Sequence, residues 1–221
     1  MTFGIEAATA AHSAGLAALF EATGSGCYCH FWHFQGSNNA WLERCATAPE
    51  ENRAELTAAL AEGRDEARGV VALAGPEAGA AVVGWLKVTP ARAMAKAYDR
   101  RLYRGLPCFA GDREGVFLVG CALVHPSFRR RGVATALVAG AVRLAPGWGA
   151  RALEALPRRP REAVSDEELW MGPLGAFAAA GFVEVSEVEG LAGEAASPSP
   201  QAYPVLRRVL APEAVAGHAG G

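Results

Sequence analysis

The nine residues from Val116 to Val124 (Val-Phe-Leu-Val-Gly-Cys-Ala-Leu-Val) carry no charge and no polar side chain beyond a thiol. A short apolar run rich in β-branched residues is the pattern of a strand buried on both faces, so the chain must supply cover above and below it. His125-Pro126 ends the strand, because proline has no N–H for a ladder and biases the residue before it away from helix. Three arginines, Arg129 to Arg131, and Gly132 follow. An apolar helix then starts at Val133, with Val133, Leu137, Ala141 and Leu144 recurring at helical spacing. A buried strand that runs through a basic, glycine-bearing turn straight into a helix predicts an α/β (α+β) fold.

The same junction predicts an anion site. Backbone N–H groups in the first turn of a helix have no intrahelical partner, and the aligned peptide dipoles add partial positive charge there. Gly132 lets the main chain turn tightly and lets a ligand approach closely. Ala134 is the smallest side chain that favours helix, and Thr135 offers a hydroxyl to a phosphate oxygen. From Arg129 through Gly132 to Ala134 the spacing is R-x-x-G-x-A. This resembles the pyrophosphate loop of the GNAT superfamily of acyl-CoA-dependent N-acetyltransferases, in which the turn follows the central strand. The competing explanation is a solvated basic turn, and the complete strand–turn–helix context argues against it.

The resemblance implies a GNAT-like fold, a mixed and mostly antiparallel sheet flanked by helices. It implies acetyl-CoA as acyl donor, with Arg129, Arg130, Arg131, Gly132, Val133, Ala134 and Thr135 around its pyrophosphate. It implies that the backbone N–H of Leu123 or Val124 polarises the acyl carbonyl, where the central strand opens away from its neighbour. The acceptor it implies is a primary amine of a small molecule or peptide, and it leaves a homodimer open. A second segment, Phe177-Ala-Ala-Ala-Gly-Phe182, is similar to the family's tail helix before its sixth strand. There the chain departs from the pattern: many members carry a tyrosine four residues before the glycine to protonate the departing thiolate. Phe177 occupies that position and has no proton to give. A non-catalytic acyl-CoA-binding domain of the same fold is therefore the rival reading.

The remaining elements follow from periodicity and punctuation. Thr2 to Ala7 reads as a first strand, and Thr9 as the N-cap of a helix ending near Gly24. Gly36 to Asn39 reads as a turn, and helices are predicted over Trp41 to Ala48 and Glu51 to Glu62, with Pro49 suited to the first turn of the second. Gly69 to Ala74 and Ala80 to Val88 form a hairpin across Gly75-Pro-Glu-Ala-Gly79. Ala91 to Tyr103 alternates alanine with charge and reads as a surface helix or an ordered insertion. Its arginines are a solvated face first, and a grip on the 3′-phosphate end of coenzyme A second. Ala150 to Leu156 is a fifth strand, followed by the basic loop Pro157 to Arg161. Ser165 and Glu168 have capping-box spacing, so the acidic run from Asp166 to Glu168 is first a helix start and second a site for a cationic substrate. Leu174 to Ala180 is a helix capped by Gly181, Phe182 to Val188 a strand, Gly190 to Pro200 a flexible loop and Tyr203 to Leu210 a last strand.

Glu154 is the only carboxylate inside the fifth strand, and it is the candidate catalytic base. In a partly apolar cleft its pKa rises toward the range useful for proton transfer. A solvated strand-end glutamate is the alternative. Cys27, Cys29, His30 and His33 crowd into seven residues of an aromatic stretch and match no zinc-finger spacing, so no metal is assigned. They read first as lining of the acceptor pocket, second as core and third as a metal site, and a metal-binding regulatory module built on this patch is a second rival reading.

At 221 residues one domain is expected, residues 1–210, with 211–221 as a flexible tail. A net charge of −2 gives no reason for a nucleic-acid or anionic-membrane partner. The odd count of five cysteines does not look like a secreted disulfide framework, and there is no membrane-spanning or signal-like run. A cytoplasmic protein is expected.

Overall fold

The computed structural model describes residues 2–75, 80–190 and 201–210. The strands are β1 (Gly4–Ala7), β2 (Gly69–Ala74), β3 (Ala81–Pro90), β4 (Val116–Val124), β5 (Ala152–Ala155), β6 (Arg159–Pro160), β7 (Val183–Gly190) and β8 (Gln201–Val209). The helices are α1 (Ser13–Ala22), α2 (Asn38–Thr47), α3 (Pro49–Ala61), α4 (Ala95–Tyr98), α5 (Val133–Leu144) and α6 (Leu174–Ala179). One sheet runs in the order β1-β2-β3-β4-β5-β8-β6, and β7 also pairs with β8.

Every pairing is antiparallel except β4 with β5. Parallel neighbours need a crossover, and α5 supplies it. This helix packs on β1, β2 and β3, burying Val133, Leu137, Val138 and Ala141 beside Phe177 and Phe182 from the α6 region. On the other face Leu16, Leu19 and Phe20 of α1 and Leu56 and Leu60 of α3 meet Val71, Trp85 and Leu118 of the sheet. The buried central strand thus has cover on both sides.

Two features of β4 decide where a ligand can enter. Its pairing with β5 stops at Val119↔Ala155, while its pairing with β3 continues to Val124↔Gly84. The strands therefore part, and the C-terminal half of β4 has no strand neighbour on that side. Between Leu86/Val88 of β3 and Ala122/Val119 of β4 the register slips, with two steps on β3 against three on β4. That extra residue is a β-bulge around Gly120, which re-aims the side chains beyond it. Cys121 and Leu123 join the α1–α3 face as a result, whereas Ala122 and Val124 pack with α5. A Cβ on Gly120 would lie 3.2 Å from the Met94 side chain, so a larger residue there would crowd the bulge.

Several boundaries differ from the sequence reading for local reasons. Thr9 caps a single 3-10 turn (Ala10–His12), with His12 Nδ1 accepting from its N–H at 3.1 Å, before α1 begins. Ser37 is the N-cap of α2, accepting from the Ala40 N–H, so the predicted turn over Gly36 to Asn39 is half helix. Residues 91–103 form a 3-10 turn, the one-turn α4 and further turns. Met94, Ala97 and Tyr103 are completely buried on the α1–α3 face, so this segment is core-forming rather than superficial. Arg159-Pro160 of the predicted basic loop pairs with β8. Residues 76–79 of the hairpin turn, 191–200 of the predicted flexible loop and the 211–221 tail lie outside the described residues. Among the described residues no helix is long and apolar enough to cross a membrane.

Candidate active site

The turn after β4 has unusual backbone geometry. Pro126–Phe128 is a 3-10 turn, with His125 Nδ1 accepting from the Ser127 N–H at 3.2 Å. Arg130 (φ 59°) and Gly132 (φ 84°) both occupy the left-handed region. Gly132 is the N-cap of α5, and a Cβ built on it would meet no atom within 4 Å. Glycine is required there by the backbone angle, and the space above it is open. The first intrahelical bond comes from the Ala136 N–H to Gly132 O, so the N–H groups of Val133, Ala134 and Thr135 lack helical partners.

These groups border a cavity of about 450 Å³. Eight of the nine sequence-predicted cofactor residues line it: Leu123 and Val124 from β4, Arg129 and Arg130 from the turn, and Gly132, Val133, Ala134 and Thr135 at the helix start. Arg131 does not; its guanidinium lies 5.6 Å from the centre of the Phe128 ring. Of the opposite wall, the sequence pointed only to Asp166, in the acidic run read second as a site for a cationic substrate. Thr23 and Ser25 come from the loop after α1, and Asp166, Leu169, Trp170 and Pro173 from the segment before α6. Asp166 stands 3.6 Å from Arg129, linking the two walls. Ser165 and Glu168 do form the reciprocal capping box.

The edge of β4 that β5 leaves presents defined backbone groups. The Ala122 N–H donates to Trp170 O at 2.7 Å on the β5 side, and the His125 N–H donates to Val83 O on the β3 side. Strand N–H groups alternate direction, so Leu123 points its N–H at β3 and Val124 points its own into the opening. Between the two predicted donors, Val124 is the one aimed at the cavity.

The sequence matches the model of the acetyltransferase (GNAT) family over residues 41–164, more than half of the chain. The protein belongs to the GNAT family. Among similar solved structures are an N-acetyltransferase from Staphylococcus aureus Mu50 (TM-score 0.53, 12% identity, covering 96% of this chain and 100% of that one) and a GNAT-family acetyltransferase from Streptococcus pneumoniae (0.52, 14%, 95% and 100%). An N-acetyltransferase from Kribbella flavida is alike to a similar degree (0.52, 17%, 94% and 98%). At such identities the likeness concerns the fold. No curated protein matches the chain.

Within this GNAT fold Glu154 is not in the cavity wall. It is completely buried on the face opposite to Leu153, as strand alternation requires. Arg113 grips both of its oxygens (2.9 and 2.7 Å), Arg207 donates to Oε1 from Nε and Nη2 (3.0 and 2.6 Å), and the Tyr98 hydroxyl donates to Oε2 at 2.8 Å. Burial pushes the carboxyl up, but the hydrogen bonds from Arg113 and Arg207 outweigh it and hold the pKa below the usual carboxylate range. The expected rise does not occur, and the geometry corrects the assignment. A carboxylate whose oxygens are engaged by two guanidinium groups and a tyrosine hydroxyl is a poor base. Phe177 is also completely buried, with its ring 5.2 Å from that of Phe182, and it does not border the cavity.

The cysteine–histidine stretch divides between core and a second cavity. Tyr28, Cys29 and Trp32 are core residues: Tyr28 stacks on Phe20 at 4.7 Å, Trp32 stacks on the cavity residue Trp170 at 5.5 Å, and the Trp85 indole N–H donates to Cys29 Sγ at 3.2 Å. Those contacts hold Tyr28 and Cys29 at φ 43° and 55°, a left-handed pair that sequence patterning gave no means of foreseeing. His30 and His33 line a separate cavity of about 300 Å³ with Glu55 and Glu66. His30 pairs with Glu55 at 2.6 Å, and burial lowers the His33 pKa to about 3. Among the described residues no three His, Cys, Asp or Glu side chains converge as a metal would require.

Proposed function

We propose that the protein is an N-acetyltransferase that moves the acetyl group of acetyl-CoA to a primary amine of a small molecule or peptide. The observation that carries this is the continuity of one cavity from the bare N-terminus of α5 to the open edge of β4. An anionic diphosphate fits the first, because unpartnered N–H groups and a helix dipole face it beside Arg129 and Arg130. A thioester carbonyl fits the second, with the Val124 N–H donating to its oxygen as negative charge develops. Acetyl-CoA, when bound, supplies the activated acyl group, and the protein's task is to place an amine against it and manage protons. The amine nitrogen attacks the carbonyl carbon, the carbon–sulfur bond breaks, and the thiolate leaves.

The rival reading, an acyl-CoA-binding domain without chemistry, is favoured by one observation: neither Glu154 nor Phe177 can serve as the expected base or acid. Two measurements separate them. Calorimetry should show coenzyme A binding, and thiol release from acetyl-CoA should appear with at least one member of a panel of small amines and peptides. Binding without release for any amine supports the rival, and no binding at all overturns both.

A further inference from the structure

With Glu154 sealed away, the transfer still needs a group to take a proton from nitrogen and give one to sulfur. Among the described residues three hydroxyls line the cavity: Thr23, Ser25 and Thr135. Thr23 Oγ1 is committed to the end of α1, donating to Leu19 O and Phe20 O at 3.1 and 3.0 Å. Thr135 stands at the start of α5, the end assigned to the diphosphate. Ser25 alone has a titratable partner behind it, with its Oγ 3.2 Å from Cys27 Sγ. Cys27 is half-buried and does not itself line the cavity. It is one hydroxyl removed from the cavity.

We infer that Ser25 and Cys27 form the proton relay of the acetyl transfer, Ser25 touching the reacting atoms and Cys27 acting through it. This rests on the function proposed above. In the resting state Cys27 is a thiolate and Ser25 donates to it. The neutral amine attacks the thioester carbonyl and becomes positively charged. Its surplus proton passes to Ser25 Oγ while the Ser25 proton passes to Cys27 Sγ. Collapse of the intermediate breaks the carbon–sulfur bond and expels the coenzyme A thiolate. The relay then runs backwards: Ser25 protonates that thiolate and takes the proton from Cys27. The products are amide and free thiol, and the dyad returns to its starting state with no net gain or loss of protons.

The surroundings of Cys27 suit a thiolate. Its pKa is lowered to about 6, chiefly because the Cys29 thiol donates to it, with Ser25 contributing and burial opposing. Cys29 is itself pushed well above the ordinary thiol range by burial, so it keeps its proton and remains a donor. From the other elements Cys45 of α2 faces Cys27, its own pKa raised by burial, and Lys87 of β3 reaches the same interior with its pKa lowered by burial. Asn52 of α3 donates to Gly26 O at 2.9 Å and to Cys45 Sγ at 3.7 Å, fixing the backbone beside the dyad. A neutral thiol could not accept the Ser25 proton; a thiolate of this basicity can near neutral pH.

The test has an arm that does not depend on turnover. Peptide-resolved alkylation of the intact protein with iodoacetamide across pH should show Cys27 reacting with a midpoint near 6, and Ser25→Ala should raise that midpoint. A Cys27 midpoint at or above the ordinary thiol value of about 8.5 overturns the relay. In turnover, Cys27→Ser and Ser25→Ala should each lower kcat by about a hundredfold, with the double variant little worse than either single one. Ser25→Thr, which keeps the hydroxyl, should recover most of the rate. Protonation of the amine lowers kcat/KM throughout this range, and the added steepening below pH 6 in the parent should vanish in Cys27→Ser. If Asp166→Asn removes that steepening instead, or if the folded single variants keep full kcat, the relay is wrong while the transferase assignment stands. Loss of coenzyme A binding in the parent would be a failure of the assignment itself.

Discussion

Two groups of arginines in this GNAT protein are used in opposite ways. Arg113 and Arg207 direct their guanidinium groups inward onto Glu154, which has no exposed surface. Arg113 also lies over the rings of Tyr98 and Phe109, and Arg207 donates to Cys108 O, so the cluster fastens residues 98–113 to β5 and β8. Arg129 and Arg130 line the cavity instead, Arg129 beside Asp166, and in the proposed function the contacts that hold a diphosphate there are main-chain N–H groups. A charge that is enclosed must be fully paired to be tolerated, so removing one partner is severe. A charge lining an open cavity is replaceable by water, so removing it is mild.

The largest effect should come from Glu154→Ala. It leaves two guanidinium groups facing each other without their anion, and breaking such a buried pair typically costs about 3–5 kcal/mol. Because both arginines retain about a quarter of their side-chain exposure, the lower part of that range is expected. Urea unfolding would measure it, and a loss below about 1 kcal/mol would erase the contrast between the two clusters.

Gly132→Glu comes next. A non-glycine residue at φ 84° is strained, and its carboxylate would stand where the diphosphate must approach. Like charges about 4 Å apart at an effective dielectric constant of about 20 repel by about 4 kcal/mol. With partial screening, coenzyme A affinity should fall on the order of a hundredfold in calorimetry while the fold survives. Unchanged affinity would place the donor site elsewhere.

The pH dependence of stability sharpens the inner half of the comparison. Glu154 has a depressed pKa when folded, so its contribution is present above the unfolded value of about 4.3 and is lost as pH falls through the folded one. The parent should lose stability on acidification below about pH 4.3, and Glu154→Gln should flatten that part of the profile. An equally steep profile in the variant would mean that other carboxylates carry the acid sensitivity.

The smallest effects belong to the arginines of the turn. Arg129→Ala, Arg130→Ala and Arg131→Ala should each weaken coenzyme A binding by about tenfold or less, since one charge-assisted hydrogen bond contributes about 1.5 kcal/mol when solvent can replace it. Arg131→Ala should be the mildest, its side chain lying on Phe128. A thousandfold loss at any one of them would mean that side chains, and not the main chain, hold the diphosphate.

The sequence by itself determined what depends on neighbours in the chain. An uninterrupted apolar run made β4 a central strand from Val116 to Val124, at the residues where it is found. Proline, glycine and helical spacing located the turn and α5, and the helix-start N–H groups follow from any such junction. Capping chemistry placed the Ser165–Glu168 box, and turn chemistry the end of α6 at Gly181.

Only the tertiary structure decided what meets what. Whether Glu154 is a base or a structural anion depends on Arg113 and Arg207, which lie 41 and 53 residues away. Which N–H faces the opening depends on where β4 leaves β5 and on the bulge at Gly120, a register event with no local signature beyond a glycine. The pairing of Ser25 with Cys27 was adjacent in sequence all along. Its relation to the cavity appears only when the loop after α1 is laid against Trp170 and the edge of β4. Periodicity records which side of an element is apolar; convergence of distant side chains is settled by packing, and packing belongs to the whole chain.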